Sequence, residues 1–160
     1  MGETRFRLAA YAVCQVDDRL LLASYISPSG NVRHWTLPGG GVEHGEDPYH
    51  GVAREVEEET GYQVEVEELL GVDSRVVQVD WGIPGGVEVH SVGVFYRVRV
   101  TGGELRHEIG GSTDQAAWVP MPRVPEIERA VIVDIGLRLA DLRPPGGHVD
   151  PIPVTGLLRH

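Results

Sequence analysis

The first third of the chain alternates apolar runs with turn residues, a pattern typical of β-strands. Residues 5–16 contain an unbroken apolar stretch, and residues 19–26 are centred on three consecutive leucines. Asp17 and Asp18 supply a tight turn between them. The pattern therefore predicts two adjacent antiparallel strands. A short extended segment is expected at residues 34–37, and the proline and glycines of residues 38–41 are expected to break regular structure.

The clearest helix is predicted over residues 48–60. Asp47 is a favourable N-cap, Pro48 suits the first helical position, and Gly61 stands where a helix commonly ends in the left-handed conformation. Gly51, in the second turn, costs about 1 kcal/mol relative to alanine. We expect close packing against another part of the backbone to explain it.

The rest of the chain predicts further strands and a closing helix. Partial alternation over residues 62–79 indicates one or two strands, and a turn-rich loop follows at residues 80–86. Residues 87–100 alternate well enough to predict a half-buried strand. A short strand at 115–119 and a second helix at 126–140 complete the elements.

This order of elements predicts one mixed α/β sandwich. A chain of 160 residues is long enough for a single domain, which we place at residues 1–142. The density of proline and glycine predicts an irregular C-terminal tail over residues 143–160.

Composition and charge exclude several classes of protein. The net charge is −10, and residues 41–70 alone carry ten acidic side chains against a single arginine. A basic face for nucleic acid is therefore not expected, and no apolar run is long enough to cross a membrane. The lone cysteine, Cys14, rules out an internal disulfide and is expected to be a small buried apolar residue. With no secretory signal visible, a cytoplasmic location is expected.

Three of the acidic side chains share one face of the predicted helix. At about 100° per residue, Glu55, Glu58 and Glu59 fall within an arc of about 100°, whereas Glu57 lies on the other side. Like charges at these spacings repel by a few tenths of a kcal/mol per pair. One interpretation is an exposed helix whose charges are solvated and paired with Arg54. The other is a site for cations.

The glycines before the helix favour the cation site. They bring backbone carbonyl groups close to the start of the helix, and carboxylates, carbonyls and water are the ligands that Mg²⁺ and Mn²⁺ prefer. Together the two features indicate a site for a metal-bound anionic substrate.

At this point the sequence resembles the Nudix family. Gly40, Glu46 and the segment 54–62 (Arg-Glu-Val-Glu-Glu-Glu-Thr-Gly-Tyr) match the Nudix box, G-x5-E-x7-R-E-U-x-E-E-x-G-U, where U is a bulky apolar residue. Every fixed position is filled, and only Tyr62 departs slightly, as an aromatic residue at an aliphatic-leaning position. Residues 35–40 also resemble the usual lead-in to the box.

The resemblance implies an α/β/α sandwich with a mixed β-sheet, in which the box forms a loop, a helix and a loop. It also implies a metal-dependent pyrophosphohydrolase that cleaves a nucleoside diphosphate linked to another moiety. Mg²⁺ or Mn²⁺ would be the cofactor, and a small-molecule nucleotide would be the substrate.

The resemblance also assigns roles to residues of the box. The implied metal ligands are Glu55, Glu59, Glu58 and Gly40. The implied catalytic residues are Glu58, Glu55 and Arg54, with Glu58 or Glu55 accepting the proton of the attacking water and Arg54 orienting the glutamates. The residues expected to support the site are Gly39, Glu46 and Gly61.

Other residues have weaker claims to a role. An acid from late in the chain often assists in this family, and Glu108 and Asp114 are the candidates, although both also fit ordinary surface positions. Trp81 could stack on a base, and Arg33, His34 and His90 could contact phosphate or sugar. An aromatic side chain that caps the core and solvated polar side chains explain the same residues equally well.

Two alternative functions and the question of a homodimer stay open. A nucleotide-sensing or regulatory module could keep the fold without hydrolysing anything, but such modules usually lose some glutamates of the box. An isomerase of isoprenoid diphosphates is disfavoured, because Cys14 lies too early in the chain to serve as its catalytic cysteine. A homodimer is possible, and the sequence does not select the physiological substrate.

Overall fold

In the computed structural model, which describes residues 2–26, 33–106 and 113–160, the strands form two sheets. The first has four strands in the order β5, β1, β7, β6, namely Gly39–Gly41, Glu3–Val13, Val87–Gly103 and Tyr62–Val79. Strands β1 and β7 run parallel, and the other neighbours are antiparallel. The sheet is therefore mixed, as the resemblance implied.

The second sheet has six strands. Its main path runs β10, β9, β4, β3, β2, and β8 also pairs with β3. These strands are β2 (Gln15–Val16), β3 (Arg19–Ile26), β4 (Arg33–Thr36), β8 (Thr113–Pro120), β9 (Arg129–Ala130) and β10 (Leu158–Arg159). Strands β3 and β4 pair antiparallel, and in their register His34 lies opposite Tyr25.

Two helices cover opposite faces of the first sheet. Alternate residues of β1 point to opposite sides of the strand. Ala9, Tyr11 and Val13 share one buried cluster with helix α2 (Val131–Leu142), whereas Ala10 and Ala12 share another with α1 (Pro48–Thr60). This is the α/β/α sandwich that the resemblance implied. Among the described residues, no helix is long and apolar enough to span a membrane.

Several predicted elements are confirmed. The helix α1 has the predicted bounds, with the Asp47 side chain accepting a hydrogen bond from the Tyr49 N–H and Gly61 in the left-handed conformation. Residues 62–79 form one strand, whose register shifts at three irregularities. Cys14 is buried, and burial raises the pKa of its thiol to about 11.

The predicted pairing of the first two strands is wrong for most of its length. β1 ends at Val13, and only the short strand β2 forms a hairpin with β3. β1 instead pairs with β5 and β7 in the other sheet. The glycines of β5 were also expected to be irregular, yet they pair with β1 because Gly39 adopts a φ of 147°, where a Cβ would lie 2.2 Å from the Ala10 carbonyl oxygen.

The second helix begins later than predicted. Residues 121–126 form a 3-10 helix containing Pro125, β9 follows, and α2 begins only at Val131. The Arg129 guanidinium forms a bidentate ion pair with Asp134 in the first turn of α2, at 2.6 and 2.9 Å. β9 is held by pairing with β10 and β4, which local periodicity cannot reveal.

The segment 143–160 lacks helices and has one two-residue strand, but it packs on the rest of the chain. Val149 and Leu158 belong to the core cluster of α2. The Gly147 carbonyl accepts a hydrogen bond from the Val72 N–H at 2.9 Å, and a Cβ on neighbouring Gly71 would lie 2.3 Å from the same oxygen. The tail is therefore irregular in secondary structure and ordered in packing.

Candidate active site

The rotation of α1 brings two glutamates of the box to the glycine strand. Val52 and Val56 of α1 are fully buried, and they fix which face of the helix turns inward. The backbone N–H of Gly39 donates a hydrogen bond to Glu59 Oε2 at 3.1 Å, and the Glu59 side chain is buried. The carboxylate of Glu55 lies against Gly40, where a Cβ would approach it to 3.0 Å. We call Glu55, Glu59, Gly39 and Gly40 the acidic wall.

Arg54 supports this wall from behind. Its guanidinium binds both carboxylate oxygens of Glu46, at 2.8 and 2.9 Å, and reaches Glu55 at 3.0 Å. It also donates to the Gly41 carbonyl at 3.2 Å. These contacts raise the pKa of Arg54, and the Arg54 hydrogen bonds together with the Glu43 N–H lower the pKa of Glu46 to about 2. Arg54 therefore orients carboxylates and does not face the cavity described below.

Gly51 explains how Glu46 reaches Arg54. A Cβ at residue 51 would lie 2.8 Å from Glu46 Oε1. The missing side chain thus leaves room for a carboxylate, rather than for the backbone that the sequence led us to expect. The same oxygen accepts a hydrogen bond from the Glu43 N–H at 3.1 Å.

Glu58 is placed differently from the other two glutamates of the face. Its side chain is 50% exposed and pairs with Arg54 at 3.2 Å. It does not line the cavity, whereas Glu55 and Glu59 do. The helical wheel places the three residues on one face, but only Glu55 and Glu59 contact β5.

The donor set fits a divalent cation that the substrate helps to bind. Across residues 2–26, 33–106 and 113–160, no three acidic, histidine or cysteine side chains form a group able to hold a metal ion. Mg²⁺ is usually held by one or two carboxylates plus water and substrate phosphates, not by a complete protein cage. The hard oxygens of Glu55 and Glu59, beside the backbone of β5, match that mode of binding.

A cavity of about 490 Å³ opens in front of the acidic wall, between the inner face of the first sheet and the ends of β3 and β4. Most of its lining comes from outside the box. Gly41 of the box also lines it, and the lining residues outside the box and the acidic wall are Arg7, Tyr11, Tyr25, His34, Thr36, Arg75, Val77, Val79, Trp81, Val89, Ser91, Ala130, Ile132 and His160.

Two of the aromatic and histidine candidates lie in this cavity. Trp81 is half-exposed at its rim, with the Arg5 guanidinium carbon 5.4 Å from the centre of the ring. His34 is buried, and burial, reinforced by the charge of Arg159, lowers the pKa of its imidazole. A neutral His34 can both donate and accept hydrogen bonds.

Other candidates lie elsewhere. His90 is on the opposite face of the sheet, where its ring nitrogen contacts the Ser74 hydroxyl at 2.8 Å. Arg33 is exposed on β4 and does not line the cavity. Gly61 ends α1, and its conformation turns the chain into β6. Glu108 and the side chain of Asp114 lie outside the described residues.

Three polar residues of the first sheet and one residue of the tail line the cavity without having been predicted from the sequence. They are Arg7, Arg75, Ser91 and His160. Arg75 carried a usable signal, because it shares the inward phase of β6 with Val77 and Val79. A charged residue in the buried phase of a strand is uncommon unless it has a partner or a function. His160 reaches the cavity through the pairing of β10 with β9, which the local sequence does not predict.

The comparisons with known proteins agree with this geometry. A family model described as NUDIX domain matches residues 5–136. No curated protein sequence gives a significant match.

Solved structures of similar fold include three from this family. A NUDIX hydrolase from Nitrosomonas europaea has a TM-score of 0.69 at 22% identity, covering 85% of this chain and 88% of that one. A MutT protein from Methanosarcina mazei Go1 has a TM-score of 0.66 at 22% identity, with coverages of 88% and 96%. A MutT NUDIX hydrolase from Burkholderia pseudomallei is 28% identical, with a TM-score of 0.55 and coverages of 72% and 83%.

Proposed function

Because the chain belongs to the Nudix family of hydrolases, we propose that it is a pyrophosphohydrolase that cleaves a nucleoside diphosphate linked to another moiety, with Mg²⁺ or Mn²⁺ bound at the acidic wall. The observation that carries the proposal is the meeting of Glu55 and Glu59 with the glycine strand at one side of a cavity of about 490 Å³. A diphosphate is strongly anionic, and this side of the cavity would repel it without a cation between them.

The proposed reaction is attack of water on a phosphorus atom of the diphosphate. A P–O bond forms to the water oxygen, the bridging P–O bond breaks, and the bridging oxygen leaves with the second phosphate. A divalent cation would neutralise charge on the phosphates and make the bound water more acidic. Glu55 is the better placed of the two proposed bases, since it faces the cavity and Glu58 is turned towards Arg54.

The residues around Glu55 suit that role. A base must lie within hydrogen-bond reach of the proton that it accepts, and its orientation must be fixed. Arg54 holds Glu55 from one side at 3.0 Å, and the Gly40 backbone lies against the carboxylate on another. Glu59 is fixed independently by the Gly39 N–H. The two carboxylates therefore keep their positions before any ligand arrives.

The proposal is tested by incubating the folded protein with Mg²⁺ or Mn²⁺ and a panel of nucleotides. The panel contains nucleoside triphosphates, nucleotide sugars, ADP-ribose and dinucleotide polyphosphates, and chromatography follows the products. We expect at least one compound to yield two phosphorylated products or an inorganic phosphate species. Tight binding of a nucleotide without turnover of any compound would instead support the sensing module.

A cytoplasmic location and a homodimer remain predictions. Cell fractionation would test the first, and light scattering of the purified protein would test the second.

A further inference from the structure

Two arginines and a serine form a row across the inner face of the first sheet. Ser91 of β7 is the register partner of Arg7 on β1 and also of Arg75 on β6. All three residues line the cavity in front of the acidic wall. We call Arg7, Ser91 and Arg75 the cationic row.

The cationic row lies next to the acidic wall along the sheet. Ala9, two residues after Arg7 on β1, pairs with Gly41 of the glycine strand. Two residues along a strand span about 6.7 Å. A ligand that touches the acidic wall with one phosphate can therefore reach the row with the next part of its chain.

Arg75 has a buried N–H donor that no described residue uses. Its side chain is 23% exposed, and the nearest carboxylate oxygen, on Asp73, is 3.9 Å from its Nε. Its Nη1 is buried, and no described residue accepts a hydrogen bond from it. A buried donor without an acceptor is costly, and more so when it is charged. The exposed part of the guanidinium lines the cavity, where a ligand oxyanion would offset its charge.

Arg7 and Ser91 add further hydrogen-bond donors beside Arg75. The Arg7 Nη1 donates to the Tyr11 hydroxyl at 3.0 Å, which fixes the direction of the guanidinium and leaves its other N–H groups for a ligand. The Ser91 hydroxyl stands between the two arginines in the register. Guanidinium groups bind phosphate with two parallel hydrogen bonds, and these charge-assisted bonds are stronger than neutral ones.

Beyond the row, β6 and β7 present apolar side chains on the inner face. Val89 and its partner Val77 come next, followed by the pair Val87 and Val79, with Trp81 at the rim. On β1 the same face carries Arg5 and Glu3, opposite Val89 and Val87. Along β6 and β7 the sheet thus presents the cationic row and then an apolar surface, with the acidic wall on the other side of the row. A nucleotide presents matching groups in the same order, from its reacting phosphates through the nucleoside-linked phosphate to the base.

We infer that the cationic row binds the phosphate adjoining the nucleoside, while the scissile diphosphate bond lies at the acidic wall. This inference rests on the proposed function for the identity of the ligand, but the site itself does not require turnover. It makes Arg75 a determinant of substrate affinity, separate from the glutamates that act on the reacting phosphorus.

The test uses inorganic pyrophosphate as the probe and removes divalent cations with EDTA, so that the acidic wall cannot hold it. Isothermal titration calorimetry compares the parent protein with Arg75→Gln and Arg75→Lys. We expect Arg75→Gln to weaken binding about tenfold or more, since a charged hydrogen bond is lost. The affinity of Arg75→Lys should fall between those of the parent and Arg75→Gln, because lysine keeps the charge but not the forked donors. Arg7→Gln, measured alongside, should also weaken binding.

Arg99→Gln is the matched control. Arg99 is an exposed residue of β7 that pairs with Glu65 at 2.8 Å and does not line the cavity. Its substitution removes the same charge from the same sheet, away from the cavity, and should leave the affinity unchanged. Circular dichroism and thermal unfolding confirm that each variant is folded.

The results separate the two proposals. Failure of the parent protein to bind pyrophosphate in EDTA, or equal affinities for the parent and Arg75→Gln, would overturn the cationic row as a phosphate site. If the nucleotide panel is hydrolysed all the same, the proposed function stands. If binding depends on Arg75 but nothing is hydrolysed, the row stands and the proposed function fails. In an active enzyme, Arg75→Gln should raise KM more than it lowers kcat, whereas a purely structural role would not produce that split.

Discussion

The acidic wall and the cationic row border the same cavity, but they are assembled in different ways. The acidic wall comes from one continuous stretch of chain, residues 39–59, in which a helix turns two carboxylates onto a neighbouring strand. The cationic row comes from three strands and depends on their register. The first depends mainly on helical spacing, whereas the second exists only once the sheet has formed.

The two surfaces also differ in how their charged side chains are held in place. The carboxylates of the acidic wall are positioned internally, by Arg54 and by the Gly39 N–H. In the cationic row, Arg75 keeps a buried donor without an acceptor among the described residues. The wall is therefore organised before the ligand binds, and the row is completed by the ligand. This difference predicts that changes to the wall affect kcat and changes to the row affect KM.

The largest effect is expected from Glu59→Gln. The amide oxygen can still accept the Gly39 N–H, but the negative charge is lost. We expect kcat to fall at least about 100-fold, because even residues that support metal ligands contribute about 10- to 100-fold. Steady-state kinetics with saturating Mg²⁺ measure this. Glu57→Gln, on the exposed side of α1, is the charge-matched control and should retain activity. Equal losses in the two variants would contradict the assignment.

A smaller loss is expected from Gly40→Ala. The new Cβ would lie 3.0 Å from the Glu55 carboxylate and displace it. A displacement of about 1 Å at a reacting group can cost about 100-fold in rate, so we expect a loss of kcat of about 10- to 100-fold.

Gly41→Ala is the neighbouring control for this substitution. A Cβ at that position meets no atom within 4 Å. Its kinetics should resemble those of the parent, and its melting temperature should be close to that of Gly40→Ala. A wild-type rate for Gly40→Ala would show that the position of Glu55 does not matter for the reaction.

Metal binding should raise the stability of the folded protein, and only substitutions in the acidic wall should reduce this gain. A ligand at 100 times its Kd stabilises the folded state by about 2.7 kcal/mol. In a chain of this size that corresponds to a rise in melting temperature of about 5 to 10 °C. Differential scanning fluorimetry with Mg²⁺ or Mn²⁺ should show this rise in the parent and in Arg75→Gln, and little of it in Glu59→Gln. A metal response in Glu59→Gln equal to that of the parent would place the metal elsewhere.

Local physics explains which parts of this molecule were predictable. The bounds of α1 follow from Asp47, Pro48 and Gly61, each of which acts within one turn of the helix. The two faces of β7 follow from alternation along a single strand. The fixed spacing of the box likewise places Glu55 and Glu59 on the side of the helix that lines the cavity.

The errors arose where a distant segment decides the structure. The glycines of β5 form a strand because β1 lies beside them, and α2 starts late because β9 is held by β10 from the end of the chain. The cationic row has the same origin, since Arg7 and Arg75 meet through Ser91. Helical spacing allows the pairing of Arg54 with Glu58, but it could not show that Glu55 faces the cavity and Glu58 does not.

The smallest expected effect tests the support behind the acidic wall. The pKa of Glu46 lies at about 2 in the folded protein, against an ordinary value of 4.5, chiefly because Arg54 donates two hydrogen bonds to it. A carboxylate whose pKa is lowered by folding stabilises the folded state above its unfolded pKa. That contribution is lost progressively as the pH falls from about 4.5 to about 2.

Glu46→Gln removes this titration while keeping a side chain of similar size. The difference in the free energy of unfolding between parent and variant should be constant above about pH 5.5 and should shrink below pH 4.5. Urea denaturation at a series of pH values measures it. Because Arg54 also holds Glu55, the variant should lower kcat modestly without changing the affinity for pyrophosphate in EDTA. A loss of that affinity would mean that the wall and the row are not independent, and the contrast between them would fail.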